Sequence, residues 1–148
     1  RELAEAILQA IRNATRRARG APPPPGLKFI LSGWVNVNPP GAYNMPHDHP
    51  GAFWSGAYYV TMPPASENRP EHGSISFIDH RPAPAGQPAV KSPMFRGNVN
   101  FRPTEGTIMI FPGIARHWVH PQPEGEGDRI SIAFNAVAIA DPEKPKKG

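Results

Sequence analysis

Hydrophobic residues in the first twenty positions recur with the period of an α-helix. Four apolar residues are spaced three or four apart, so they form one stripe of a helix over residues 2–19: Leu3, Ile7, Ile11 and Ala14. Glutamates at the start and arginines near the end suit the helix dipole, and Gly20 followed by prolines 22–25 ends the helix. We expect this helix to pack on the outside of a sheet.

From residue 27 the period changes to two, which is typical of β-strands. Turns rich in proline and glycine separate the strand-like runs, which cover residues 27–38, 52–62, 73–79, 99–102, 106–111, 117–120 and 129–139. Short strands after one helix predict an all-β sandwich, jelly roll or barrel, and not a βαβ fold. We expect the polar segment 63–72 and the proline-rich connection 80–97 to line the opening of a site.

The length of 148 residues suits one domain with a proper core, residues 1–148. We divide it into a packing helix, 1–20, a β core, 27–139, and a C-terminal tail, 140–148. The sequence has no cysteine, so it has no disulfides, thiolate ligands or cysteine nucleophiles, and His, Asp and Glu remain as metal ligands. The chain begins at Arg1 without an initiator methionine, so whether the natural protein extends before it is left open.

Basic residues cluster at both ends of the chain and supply much of its net charge of +4: Arg12, Arg16, Arg17, Arg19, Lys144, Lys146 and Lys147. Such clusters are more often solvated ends than binding grooves, so a nucleic-acid partner is not favoured. No stretch resembles a signal peptide, and no apolar run approaches the ~20 residues of a membrane span. We expect a soluble, cytoplasmic protein with no membrane partner. Its oligomeric state, a homodimer included, stays open.

Two histidines, His47 and His49, are separated by one residue and precede a strand-like run. Alternate residues of a strand point to one face, so both imidazoles can reach one metal while Asp48 points away. His117, at the end of a later strand, would complete three ligands and leave positions open for small molecules. The alternative, a turn with exposed imidazoles, stays open.

Arg129 begins the last strand, on the same face as Ser131. A guanidinium among apolar residues needs an anionic partner, because an unpaired buried charge is costly. A dicarboxylate would supply that partner in a bidentate contact, and a salt bridge to Asp128 or a loop glutamate is the alternative. We expect the strands at His117 and Arg129 to form a hairpin that brings the guanidinium near the metal ligand.

Five sequence blocks follow one another in a characteristic order. They are His-x-His at 47–49, Ser-Gly-Ala-Tyr-Tyr-Val at 55–60, Gly-Ser-Ile-Ser-Phe-Ile-Asp at 73–79, Ile-Phe-Pro at 110–112 with His117, and Arg-Ile-Ser-Ile-Ala-Phe-Asn at 129–135. In this order they resemble the 2-oxoglutarate- and iron(II)-dependent oxygenases of bacteria and phages, which are relatives of the prolyl hydroxylases. The resemblance covers residues 27–138.

The resemblance implies a double-stranded β-helix, a cupin-like jelly roll, with Fe(II) between its sheets. It also implies a dioxygenase reaction in which O₂ and the cosubstrate 2-oxoglutarate hydroxylate a C–H bond of a small molecule or peptide and release succinate and CO₂. By position, His47 and His117 match the ligand histidines. Arg129, with Ser131, matches the residue that binds the distal carboxylate of 2-oxoglutarate, and Tyr59 matches a tyrosine that hydrogen-bonds the same carboxylate.

The sequence departs from the superfamily at His49, where the usual motif is His-x-Asp. We keep His49 as the third ligand, although three-His iron also occurs in cupin-type dioxygenases that use no 2-oxoglutarate. That enzyme class and a non-catalytic metal- or carboxylate-binding module are therefore the alternatives. The other polar candidates have less specific roles. We expect His72 and His80 at the surface, His120 on the opposite face of its strand, and Asp79 in contact with a metal ligand or the substrate. Three asparagines could contact the cosubstrate or the substrate and are not ranked: Asn36, Asn44 and Asn135.

Overall fold

A computed structural model describes residues 1–80, 97–122, 125 and 127–139. Within them the chain forms one helix and eight strands, which are α1 (Glu2–Arg19), β1 (Lys28–Asn38), β2 (Asn44–His47), β3 (Trp54–Thr61), β4 (Ile75–Phe77), β5 (Val99–Phe101), β6 (Ile108–Pro112), β7 (His117–Val119) and β8 (Arg129–Ile139). The predicted N-terminal helix and the seven predicted strands are all present. A short additional strand, β2, was not predicted as a separate element.

The strands form two four-stranded sheets of antiparallel pairs. The order is β1-β8-β3-β6 in the first sheet and β2-β7-β4-β5 in the second. Consecutive strands therefore tend to change sheet, and this interleaving is that of a double-stranded β-helix, or jelly roll. The predicted fold class is confirmed.

The helix α1 covers the outer face of the first sheet. Ile7 and Ile11 are buried in one cluster with Trp54 and Phe134, and the other two residues of the predicted stripe, Leu3 and Ala14, pack against that cluster. The indole Nε1 of Trp54 also donates a hydrogen bond of 2.9 Å to the hydroxyl of Thr15. Alternation along β8 directs Phe134 to this cluster, which leaves the opposite face of the strand for the space between the sheets.

A second apolar cluster fills part of the space between the sheets. It consists of Ile75, Phe111 and Val119, with Phe77, Met109 and Ala115 packed against them. Ile75, Phe111 and Val119 also line a cavity that continues from this cluster toward β1 and β2. The apolar cluster therefore forms one wall of the cavity that holds the polar residues described below.

Two sequence-based expectations were wrong. The strands at His117 and Arg129 do not form a hairpin, because β7 lies in the second sheet and β8 in the first. A periodicity of two identifies a strand but does not specify its neighbour. His49 does not share a strand with His47, since β2 ends at His47 and a turn with Gly51 at φ 84° follows. The argument that Asp48 points away along a regular strand therefore has no basis.

Candidate metal centre and carboxylate site

Three histidines meet inside the jelly roll. One ring nitrogen from each of His47, His49 and His117 lies within 4.8 Å of the others. The ring centroids are 4.4 Å apart for His47 and His117, and 5.1 Å apart for His47 and His49. Within the parts of the chain that the structure describes, this is the one cluster of potential ligands with metal-site spacing. Neutral imidazoles at such distances suit a divalent transition metal.

Backbone carbonyls fix which nitrogen of two of these rings can bind a metal. The Nδ1 of His47 lies 2.6 Å from the carbonyl oxygen of Met45, and the Nδ1 of His117 lies 2.8 Å from that of Ala115. A carbonyl only accepts, so each Nδ1 carries the proton and donates it. The lone pair of a neutral ring is then on Nε2. Hydrogen bonding of the second nitrogen is typical of histidines that ligate metals.

The fold holds the three rings by different means. His47 and His117 face each other as partners in the β2–β7 register. His49 lies outside the strands, where its backbone N–H donates a 2.9 Å hydrogen bond to the carbonyl of Gly113. The turn before β7 therefore positions the third ring, and a regular strand is not required.

Burial lowers the pKa of two of the three imidazoles, those of His49 and His117. The pKa of His117 is lowered to about 4, chiefly by desolvation and in part by the neighbouring His47 and His49, while the hydrogen bond to Ala115 and the carboxylate of Asp48 oppose the shift. Desolvation also lowers the pKa of His49, with a contribution from His47 that the carboxylate of Asp48 partly offsets. Neutral rings near pH 7 are the form that binds a metal.

Arg129 lies in the same cavity and is 3% exposed. Its Nη2 donates to the side-chain oxygens of Asn38 at 3.0 Å and Asn44 at 3.1 Å, while its Nε is buried and has no hydrogen-bond partner in the described parts of the chain. Among the described residues no carboxylate, including Asp128, forms a salt bridge with it. The guanidinium therefore has donors and a positive charge available to an anion.

The surroundings of Arg129 offer two hydroxyls. Tyr59 and Ser131 line the cavity and are partners in the β3–β8 register. Burial raises the pKa of Tyr59, and the nearby Arg129 opposes this effect, so the phenol is protonated at neutral pH and can donate. The cavity is about 90 Å³ and extends from the three histidines to these groups.

The remaining candidates lie elsewhere or contribute differently. His120 is outside the triad, where its Nε2 lies 2.5 Å from the hydroxyl of Ser76, and Asn135 accepts a hydrogen bond from Ser55. Asn36 and Asn44 line the cavity. Segment 63–72 supplies none of the residues that line it, and 81–96 lies outside the described residues. Sequence reasoning missed Asn38, whose position before the Pro39-Pro40 turn marked only the end of a strand.

The class of this protein follows from a jelly roll with a candidate mononuclear metal centre, beside a guanidinium that forms no salt bridge within the described residues, and from comparison with known families. A sequence model of the family described as "Putative 2OG-Fe(II) oxygenase" matches residues 32–135, more than half of the chain. The chain belongs to this family.

Solved structures of low sequence identity share the fold. A prolyl-4-hydroxylase from Pseudomonas putida aligns with a TM-score of 0.57 at 16% identity, covering 94% of this chain and 66% of that protein. A 2OG-Fe(II) oxygenase family oxidoreductase from Burkholderia pseudomallei aligns with a TM-score of 0.53 at 16% identity, covering 74% of this chain and 45% of that protein. The chain thus spans less than two thirds of either relative. No curated protein matches the sequence, and no helix among the described residues is long and apolar enough to cross a membrane.

Proposed function

We propose that residues 1–148 form one Fe(II)- and 2-oxoglutarate-dependent oxygenase domain. It hydroxylates a C–H bond of a small-molecule or peptide substrate, consumes O₂ and releases succinate and CO₂. The observation that carries this proposal is one cavity that contains both a cluster of three histidines and a buried arginine with no acidic partner among the described residues.

The residues present fit both groups. His47, His49 and His117 offer three neutral nitrogen donors, which leaves coordination positions for other ligands. The Nε of Arg129 is a buried donor with no partner among the residues that the structure describes, and such groups are rare unless a ligand or water satisfies them. A carboxylate of 2-oxoglutarate would satisfy it. Three neutral imidazole ligands do not balance the charge of Fe(II), and 2-oxoglutarate, which is a dianion, would balance it.

Each side chain then has a defined role. Arg129, Ser131 and Tyr59 would bind the distal carboxylate, since a charge-assisted hydrogen bond is stronger than a neutral one. Ile75 and Phe111 add apolar surface to the cavity wall, which would lower the local dielectric constant and strengthen these contacts. Bound iron and 2-oxoglutarate would supply the oxidising chemistry, in which O₂ gives one oxygen atom to succinate and one to the substrate.

Anaerobic spectroscopy tests the proposal directly. Addition of Fe(II) and 2-oxoglutarate to the metal-free protein should produce the weak visible charge-transfer band of an iron-bound keto acid. The same addition with glutarate, which lacks the keto group, is the control and should give no band. Absence of the band in folded protein that has bound iron would contradict the proposal.

The three-His ligand set also favours a second candidate, a cupin-type dioxygenase that uses no keto acid. Arg129→Ala distinguishes the two. The first function predicts loss of activity, partly restored by high 2-oxoglutarate, whereas the second predicts activity independent of 2-oxoglutarate. Arg12→Ala, on the exposed face of α1, is the matched control. Succinate release with a cell extract as substrate source would argue against a non-catalytic binding module.

A further inference from the structure

The guanidinium of Arg129 is held by two asparagines that lie at the two ends of one turn. Asn38 is the last residue of β1 and Asn44 the first of β2, and the segment between them is Pro-Pro-Gly-Ala-Tyr. Asn38 is also the register partner of Arg129 across β1 and β8, whereas Asn44 belongs to the second sheet. The two amides therefore hold the guanidinium from both sheets.

Donor geometry fixes the orientation of both amides. A guanidinium has five N–H donors and no acceptor, so only an amide oxygen can face it. The two hydrogens of Nη2 are matched by two oxygens, at 3.0 Å from Asn38 and 3.1 Å from Asn44. The Nε hydrogen is buried and has no acceptor among the described residues. The amides thus restrain the plane of the guanidinium and leave its three other N–H donors, the buried Nε among them, for another acceptor.

Charge explains why amides suit these two positions. An aspartate has nearly the same shape as asparagine and could accept the same hydrogen bond, but it would neutralise the guanidinium. Both acceptors here are neutral, and no carboxylate among the described residues pairs with Arg129. The positive charge is therefore retained, although the side chain is only 3% exposed.

We propose that Asn38 and Asn44 are positioning residues that hold Arg129 in place for an incoming carboxylate while leaving its charge uncompensated. This inference rests on the proposed function, because the carboxylate is that of 2-oxoglutarate. The affinity for the cosubstrate then depends on two properties of these amides, which are their hydrogen bonds to Arg129 and their lack of charge. A purely structural role for Asn38 would require only the hydrogen bond.

Asn38 provides the sharper test, since it contacts Arg129 but is not among the residues that line the cavity. Asn38→Asp keeps an acceptor and adds a charge, while Asn38→Ala removes the acceptor and adds none. We expect the Kd for 2-oxoglutarate to rise at least tenfold in the Asp variant and by a smaller factor in the Ala variant. The order in thermal stability is reversed, with the Ala variant the less stable.

Calorimetric titration of the metal-loaded, anaerobic protein with 2-oxoglutarate measures the affinity, and thermal unfolding measures the stability. Asn13→Asp, on the exposed face of α1, adds the same net charge far from the cavity and should bind as the wild type does.

The possible outcomes separate the two proposals. An Asn38→Asp protein that binds 2-oxoglutarate as tightly as the wild type, or more tightly than Asn38→Ala, overturns the positioning role and leaves the proposed function intact. A wild type that does not bind 2-oxoglutarate overturns both. If Asn38→Asp does not fold, Asn44→Asp and Asn44→Ala provide the same comparison, with the same order of affinities expected.

Discussion

At the scale of residues, the described lining of the cavity contains basic and neutral side chains but no carboxylate. Three imidazoles, two of which (His49 and His117) have a pKa lowered by burial, share the cavity with a guanidinium that has no acidic partner among the described residues. With a divalent metal bound, the site would carry an excess of positive charge in a partly buried cavity, where ionic interactions are stronger than in water. A small dianion is the ligand that such a site binds best.

The lowered pKa of His117 predicts a pH dependence of stability in the metal-free protein. Its folded-state pKa is about 4, below the ordinary value of 6.5, so the unfolded chain binds a proton more readily than the folded one. The stabilisation is complete above pH 6.5 and is lost as the pH falls toward 4. We expect a loss of about 3 kcal/mol over this range, from about 1.4 kcal/mol per pKa unit.

Urea unfolding of protein kept metal-free with a chelator measures this effect. The matched variant is His117→Gln, which has no titratable group at this position, so the difference between the two pH profiles isolates His117 from other histidines. The wild type should lose more stability than the variant between pH 7 and pH 4. Parallel profiles would show that His117 is not held neutral by the fold.

At the scale of elements, the turn between β6 and β7 positions the third histidine. Gly113 accepts a hydrogen bond from the N–H of His49 and donates one of 3.2 Å to the carbonyl of Phe53. A Cβ added at Gly113 would lie 2.2 Å from the carbonyl oxygen of Ala52, which is closer than van der Waals contact permits. A side chain at this position must therefore displace the segment that carries His49.

Gly113→Ala should consequently weaken metal binding by at least about tenfold, a loss of about 1.4 kcal/mol, and should also lower the stability of the metal-free protein. Anaerobic titration with Co(II), followed by its visible absorption, measures the affinity. Gly97→Ala is the control, because a Cβ there would meet nothing within 4 Å and its φ is not positive. Equal Co(II) affinity in the two variants would show that the turn does not position the ligand.

The elements were predictable from the sequence to a greater extent than their arrangement. Periodicity located α1 and the long strands because a buried face leaves a regular pattern of apolar residues, as along β8. The short strand β2 carries Asn44, Met45, Pro46 and His47, a sequence with no alternation of apolar residues. The position of His49 depends on the hydrogen bond from its backbone N–H to the carbonyl of Gly113. This contact joins distant segments, so no local sequence pattern encodes it.

The residues of the candidate site were found because their chemical types are few and the blocks that contain them occur in a known order. Asn38 was missed, since its role depends on its pairing with Arg129 across two strands that are distant in sequence. Sheet pairing of this kind is a property of the tertiary fold. The wrong hairpin between β7 and β8 has the same cause.

At the scale of the whole molecule, the strand residues proposed to bind the metal and those proposed to bind the carboxylate lie in different sheets. His47 and His117 lie on β2 and β7 of the second sheet, whereas Arg129, Ser131 and Tyr59 lie on β8 and β3 of the first. A keto acid that contacts both the metal and Arg129 would therefore connect the sheets. With its carboxylate held by Arg129, the keto group would reach the bound metal, so each ligand adds a contact for the other and the two should bind cooperatively.

We therefore expect Fe(II) and 2-oxoglutarate together to raise the Tm by more than the sum of their separate effects. Each ligand alone at 100 times its Kd contributes about 2.7 kcal/mol by mass action. The excess measures the coupling, which is expected at about 1–3 kcal/mol. Glutarate is the control ligand, since it has the carboxylate for Arg129 but no keto group for the metal, and its effect should be additive. Two results would contradict this expectation. The rises in Tm with Fe(II) and 2-oxoglutarate could be simply additive, or the excess rise could persist in Arg129→Ala. Either result would mean that the cosubstrate does not connect the two sheets through this guanidinium.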